Sequence, residues 1–278
     1  GSGGHGRMTG EMLGLLEELF IELSPDVVLV YGDTNTTLAG GLASAKLRIP
    51  VAHVEAGLRS FNREMPEEIN RVVVDHLSEV LLCPTQAAID NLAEEGLAGR
   101  AVLVGDVMLD TARLYAEQVD VAAVLKRHGV EKNAYYLATV HRAATADDPD
   151  KLAALIDAFS SAGAPVLWAI HPRTRASLER FGLLERIADS PGIVATDPLS
   201  YSDTNALLRS TRGLLTDSGG MQKEAYFFGV PCVTLREETE WVETVELGWN
   251  QLAGTDPAAI AAAIAGMSRP TDRPDVYG

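Results

Sequence analysis

Residues 213–236 read GLLTDSGGMQKEAYFFGVPCVTLR, in the order strand, glycine turn, helix, strand. GLLT is an apolar run too short for a helix, and DSGG supplies the turn that ends it. MQKEAYFF is good helix-forming material, and the GVP that follows it opens a second apolar, β-branched run, CVTL. A strand, a crossover helix and a second strand make a βαβ unit, whose strands lie parallel because the helix returns the chain to the same end of the sheet.

The same rhythm extends outward in both directions. Strands are expected at 27–31, 50–54, 80–83, 101–104, 135–140, 166–170, 192–195, 213–215 and 232–235. Helices are expected between and around them at 9–22, 37–46, 67–78, 86–95, 149–161, 201–209, 220–228 and 257–267. The fold class is therefore α/β with parallel sheets. A chain of 278 residues is long enough to divide its core. The rhythm pauses in a polar helical stretch, 116–132, which predicts two Rossmann-like domains at 1–118 and 119–278, the first with few strands and apparently incomplete.

Composition excludes several functions. Hydrophobic residues make up 46%, which excludes a mainly disordered chain. With 23 Lys and Arg against 39 Asp and Glu, the net charge of −16 disfavours nucleic acid and anionic membrane surfaces as partners. An anionic small ligand would need local positive potential from particular arginines, histidines and helix N-termini. Cys83 and Cys232 both sit in strand-like runs and read as buried free thiols, which fits a reducing cytoplasm. Neither a long apolar run nor a charged-then-apolar leader points to membrane insertion or export. No Cys/His cluster has metal spacing, and neither a GxxxxGK[ST] loop nor a strand-coupled GxGxxG is present, so no cofactor is expected.

In open parallel sheets, ligands bind beyond the carboxyl ends of the strands, so polar residues directly after each apolar run are the candidates. VVLVYGDTNTT leaves Asp33 there, either as a site residue or as the cap of the next helix. PVAHVEAGLRSF places His53 and Glu55 on alternate positions with Arg59 beyond. MPEEINRVVVDHL starts a helix at Pro66. Glu67 and Arg71, four apart on one face, suit an ion pair or a substrate clamp, and Asp75 and His76 read as a solvated or capped pair. YYLATVHRAAT puts His141 and Arg142 at a strand end, where imidazole and guanidinium suit a pyrophosphate. The IHPRTR segment at His171 reads as a structural turn. In DSGG, Ser218, Gly219 and Gly220 open a helix whose bare N–H groups can approach phosphate oxygens. Glu224, one turn on, can take both ribose hydroxyls, with Arg236 further along.

GDTNTTLAG, HVEAGLRSF, MPEEINR, TVHRA and TDSGGMQKEAYFFGVPCVTLREETEW, in this order, resemble the UDP-N-acetylglucosamine 2-epimerase family over nearly the whole chain. The resemblance implies two Rossmann-like domains in a GT-B arrangement, with a UDP-N-acetylhexosamine in the interdomain cleft. It implies Asp33, Glu55 and Glu67 as catalytic carboxylates, supplied by the amino-terminal domain, and Arg71 holding them in place. In the UDP-binding carboxyl-terminal domain it implies His141 near the leaving diphosphate, Ser218, Gly219 and Gly220 on phosphate oxygens, and Glu224 on the ribose. Arg236 would lie towards the sugar or diphosphate, with the turn from Leu199 to Tyr201 beside the uracil.

The implied reaction is reversible epimerisation at C2 in a cytoplasmic homodimer that serves cell-surface polysaccharide synthesis. UDP is eliminated to give 2-acetamidoglucal, then added back. Alternatives are a hydrolysing epimerase, releasing UDP and N-acetylmannosamine, and a catalytically silent UDP-sugar-binding protein. The sequence departs from the family pattern in lacking its early GTRPE-like turn and its final helix, and in having Ala144 and Thr145 where a Glu-Asn pair usually follows the histidine and arginine.

Overall fold

The structure is a computed structural model describing residues 4–278. It divides into two compact units, residues 4–107 with 275–278, and residues 108–274.

The first unit begins with α1 (His5–Leu23), β1 (Val28–Tyr31) and α2 (Asn35–Lys46). β2 (Val51–Val54), α3 (Pro66–Leu77), β3 (Val80–Cys83), α4 (Gln86–Glu94) and β4 (Ala101–Leu103) follow. Its strands form one parallel sheet in the order β1-β2-β3-β4, with Val28 paired to Val51 and His53 to Leu81. Val30, Val51 and Val74 pack together behind it.

The polypeptide crosses to the second unit through α5 (Val107–Gln118) and α6 (Val121–His128). β5 (Tyr136–Val140), α7 (Ala143–Ala146), α8 (Pro149–Ser160), β6 (Val166–Ile170), α9 (Pro172–Arg180) and α10 (Leu184–Ala188) come next. β7 (Ile193–Thr196), α11 (Tyr201–Leu208), β8 (Gly213–Thr216) and α12 (Gly219–Phe227) continue the alternation. β9 (Cys232–Thr234), α13 (Val242–Glu246), β10 (Asn250–Leu252) and α14 (Pro257–Gly266) complete it. The sheet is parallel throughout, in the order β10-β9-β8-β5-β6-β7. Both faces are covered, one by a cluster around Trp168, Phe159 and Leu155, the other by one around Leu137, Leu207 and Leu214. That double burial is why β5, β6 and β8 read as unbroken apolar runs and not as alternating ones.

Several elements differ from the sequence reading. The units divide at Val107 and Met108, not at 118/119, because α5 packs on α11. Tyr115 meets Tyr201 edge to face at 4.8 Å, and Asn205 and Arg209 donate to the carbonyls of Ala112 and Ala116 at 3.2 and 2.6 Å. The last residues return to the first unit, where Asp106 N–H donates to the Tyr277 carbonyl at 2.8 Å. Gly105 is required at that crossing: its φ is +78°, and a Cβ there would lie 2.6 Å from the same carbonyl oxygen.

The segment after His171 is a nine-residue helix and not a turn. Pro172 opens it with a preset φ, and the His171 side chain accepts from Arg173 N–H at 3.2 Å. β10 went unanticipated because Asn250 is polar yet buried. Its side chain accepts from Thr234 Oγ1 at 2.7 Å and donates to Thr244 Oγ1 and Gln222 Oε1, both at 3.1 Å. Both cysteines are buried free thiols, and burial pushes Cys83 up to about 11 and Cys232 up to about 12. Among the described residues no helix is long and apolar enough to cross a membrane.

Candidate active site

In the first unit the candidate residues gather at the carboxyl ends of β1 and β2. β1 ends at Tyr31, and Gly32 turns the chain with φ +61°. Glycine is favoured there on two counts, since a Cβ on it would also sit 3.2 Å from the Glu55 carboxylate. Glu55 follows β2 with φ +71°, a left-handed conformation that costs a non-glycine residue about 1 kcal/mol or more. The strained backbone brings the carboxylate back over the Gly32–Asp33 turn.

Asp33 is not the cap of α2. Thr34 is, accepting from Thr37 N–H at 3.3 Å, which leaves the Asp33 carboxylate to pair with Arg71 Nη2. Asn70 holds the other end of the residue, donating to the Asp33 carbonyl at 2.8 Å.

α3 presents a polar face inward, with Glu68, Asn70, Arg71 and Asp75 buried. Glu68 accepts from the N–H groups of Ser60 and Phe61 at 2.9 and 3.0 Å, from Ser60 Oγ at 3.0 Å and from Arg71 Nη1 at 2.9 Å. Arg71 thereby ties the 60–61 loop to Asp33. Glu67 lies half-buried in the first turn, where the helix dipole favours its charge, and its side chain forms no hydrogen bond or ion pair among the described residues. Asp75 is a correction to the sequence reading: it is fully buried, not solvated, and binds His53, Gly57 N–H and Arg59.

The second unit assembles its candidates at the ends of β5 and β8. Asp217, fully buried, accepts from His141 N–H at 2.9 Å and Arg142 N–H at 2.8 Å. It also meets His141 Nδ1 at 2.9 Å. That distance sets the Nδ1 side of the imidazole against the carboxylate. The Asp217 carbonyl accepts from Arg142 Nε at 3.1 Å, so one residue orients both neighbours. His171 stands 5.5 Å from His141, ring to ring; partial desolvation and then His141 hold its imidazole below the ordinary range, as its acceptor role at α9 needs.

Ser218 caps α12, and Gly219 and Gly220 open it. A Cβ on Gly219 would lie 3.3 Å from the Trp241 indole nitrogen and 3.6 Å from Glu240, a tight fit that glycine avoids. Glu240 gathers the nearby guanidiniums, with Arg236 at 3.1 Å through both Nη atoms and Arg142 at 3.9 Å. Arg236 is thus buried in an ion pair with Glu240. Further along α12, buried Glu224 accepts from the Tyr201 phenol at 2.8 Å. Burial first, and then Glu224, hold that phenol well above its ordinary value, so it stays a donor. Leu199, half-buried beside it, packs on the Leu207 cluster.

The residues that sequence reasoning missed share a trait. Asp217, Glu68 and Glu240 lay inside quoted motifs without a site role: main-chain N–H groups hold Asp217 and, with Arg71, Glu68, while Glu240 pairs with Arg236 four residues before it. One signal was available for α3: Glu68, Arg71 and Asp75 are spaced three and four apart, on the same face as apolar Val74. Chemically, the first unit offers carboxylates held beside an arginine. The second offers a helix N-terminus, an imidazole and two guanidiniums, a set suited to a phosphorylated leaving group.

A family model described as UDP-N-acetylglucosamine 2-epimerase matches residues 1–278. A Methanococcus maripaludis protein named as a UDP-N-acetylglucosamine 2-epimerase homolog is 48% identical over 262 residues, 94% of this chain and 73% of that one. The UDP-2,3-diacetamido-2,3-dideoxy-D-glucuronate 2-epimerase of Pseudomonas aeruginosa is 48% identical over 258 residues, 91% of this chain and 70% of that one. The crystal structure of Methanocaldococcus jannaschii UDP-GlcNAc 2-epimerase in complex with UDP-GlcNAc and UDP aligns with a TM-score of 0.92 at 39% identity, covering 100% of this chain and 79% of that one.

Proposed function

The chain belongs to the UDP-N-acetylglucosamine 2-epimerase family, and from that premise we propose that it is an isomerase inverting C2 of UDP-N-acetylglucosamine to give UDP-N-acetylmannosamine. The observation that carries this reading is the carboxylate cluster: Glu55 is folded back over the turn that presents Asp33, and Arg71 on α3 grips Asp33.

The first unit supplies the acid–base groups and the second the nucleotide grip. One carboxylate among Asp33, Glu55 and Glu67 takes the proton from C2 as the bond from C1 to the diphosphate oxygen breaks. The electron pair of the C2–H bond becomes the C1–C2 double bond of 2-acetamidoglucal, and UDP leaves with the pair of the C1–O bond. His141, Arg142 and the N-terminus of α12 stabilise the charge on the departing diphosphate. UDP then adds back to C1 while a proton reaches C2 from the opposite face, which needs a second acid on that side. Ser218, Gly219 and Gly220 hold phosphate oxygens, Glu224 the ribose, and Leu199 and Tyr201 the base.

Incubation with UDP-N-acetylglucosamine in deuterated water tests this directly. Deuterium at C2 and appearance of the manno epimer are expected; unlabelled, unchanged substrate overturns it. Accumulation of free UDP with N-acetylmannosamine would replace it by the hydrolysing branch. Tyr201→Phe, which removes the donor to Glu224, is expected to weaken UDP binding by about 3- to 10-fold, measured by titration calorimetry. An unchanged Kd would separate Glu224 from the ribose.

A second reading concerns the sugar. The diacetamido-glucuronate relative is 48% identical, against 39% for the Methanocaldococcus jannaschii UDP-GlcNAc 2-epimerase. Parallel kcat/KM measurements on UDP-N-acetylglucosamine and on the 2,3-diacetamido uronate separate the two; preference for the uronate would move the substrate without moving the chemistry at C2.

A further inference from the structure

His53 lies in the middle of the first unit's sheet, with no exposed surface, and the reaction outlined above does not use it. Its Nδ1 is 2.7 Å from Asp75 Oδ1, and its Nε2 is 2.8 Å from the carbonyl oxygen of Gly32. A carbonyl can only accept, so Nε2 carries a proton. The Arg59 guanidinium favours the ionised form of Asp75, whose other oxygen accepts from Arg59 Nη1 at 2.7 Å and from Gly57 N–H at 3.2 Å. Nδ1 must therefore donate as well. A neutral imidazole has one N–H and cannot serve both acceptors.

From this geometry we infer that His53 is a doubly protonated positioning residue whose Nε2–H grips the Gly32 carbonyl and so fixes the Asp33 and Glu55 carboxylates. The charge is balanced inside the fold. Asp75 faces both His53 and Arg59, and Arg59 passes to Glu95 through Nε and Nη2, each at 2.7 Å, so two cations meet two carboxylates. Such a set is costly to bury unless every hydrogen-bonding position is met, and Arg59 fills another by donating to the Leu58 carbonyl at 2.6 Å.

The gripped peptide is the one that matters for the proposed chemistry. The Gly32 carbonyl belongs to the peptide bond leading into Asp33, at a left-handed residue whose lack of a side chain leaves room for the Glu55 carboxylate beside it. Gly32 N–H is fixed from the other side by the Val54 carbonyl at 3.0 Å. With both its amide and its carbonyl bonded, Gly32 restrains the peptide plane from which Asp33 reaches Arg71. The role of Asp33 and Glu55 rests on the function proposed above, but the protonation of His53 does not.

Two substitutions separate the two ring nitrogens. His53→Gln places an amide donor near Nε2, towards Gly32; His53→Asn places one near Nδ1, towards Asp75. In the full chain, His53→Asn is expected to lower kcat by about 10- to 100-fold with KM within about threefold, and His53→Gln to keep most of the activity. The Asp33 backbone amide resonance should move in the asparagine variant and stay in the glutamine one. Equal losses of thermal stability in both variants, with kcat per folded molecule unchanged, would reduce His53 to packing and overturn the inference.

Nitrogen-15 spectra of the histidine side chains in the unmodified protein at neutral pH decide the protonation even if neither variant folds. Both ring nitrogens of His53 are expected at protonated positions, and one at a deprotonated position overturns it. If the unmodified protein fails to turn over any UDP-sugar, the proposed function fails while these spectra still decide His53.

Discussion

Asparagine in place of Asp33 is expected to lower kcat on UDP-N-acetylglucosamine by about 10²- to 10⁴-fold, the range that general acid–base groups contribute. The amide keeps an oxygen for Arg71 Nη2, and Asn70 bonds to the main-chain carbonyl, which the substitution leaves alone. The stability loss should therefore stay near the value of one charge-assisted hydrogen bond, about 1.5–3 kcal/mol. KM should move by less than about threefold, because a proton-transfer group acts mainly in the transition state. Steady-state kinetics and urea unfolding on the same preparation measure both. A kcat within about threefold of the parent would remove Asp33 from the proton-transfer step.

The largest combined loss of stability and binding is expected at Asp217→Ala. Its carboxylate accepts from the N–H groups of His141 and Arg142 and lies 2.9 Å from the His141 ring nitrogen Nδ1, at a site with no solvent access to the carboxylate. Removing it strands two main-chain donors, each worth about 1–3 kcal/mol when left without an acceptor. Unfolding free energy should fall by about 3 kcal/mol or more, comparable to breaking a buried pair. UDP affinity should fall with it, by on the order of 10-fold or more, because the strand end that carries His141 and Arg142 loses its anchor. Equilibrium unfolding in urea and calorimetric titration with UDP test the two parts. A variant that folds as stably as the parent would mean that solvent or another side chain satisfies those donors.

The difference between Asp33 and Asp217 shows what could be read in advance. Asp33, Glu55 and His141 each directly follow an apolar run, and in a parallel sheet that position is the ligand-facing edge, so their candidacy was legible. Asp217 occupies the same kind of position but turns inward to main-chain N–H groups. Nothing in the linear order distinguishes an outward carboxylate from an inward one. Asp75 makes the point more strongly. As a charged residue followed by histidine on a helix it reads as solvated, whereas its partners, His53, Gly57 and Arg59, lie 16 to 22 positions away in sequence.

The elements divide in the same way. β5, β6 and β8 were legible because burial on both faces leaves a continuous apolar imprint. β10 was not, since Asn250 is satisfied by side chains from β9, α12 and α13. The placement of α5 with the second unit follows from contacts with α11, nearly a hundred residues away, that no local pattern encodes.

The linear sequence determined the α/β class, the parallel alternation, the family, and the strand ends at which the candidate residues sit, because periodicity and turn chemistry are local properties of the chain. Only the tertiary structure decided that Thr34 and not Asp33 caps α2, that Arg71 bridges Glu68 to Asp33, and that His53 stands between two acceptors. Hydrogen-bond saturation in a buried space is a property of the groups that meet there, and folding brings them together from positions that the sequence holds far apart.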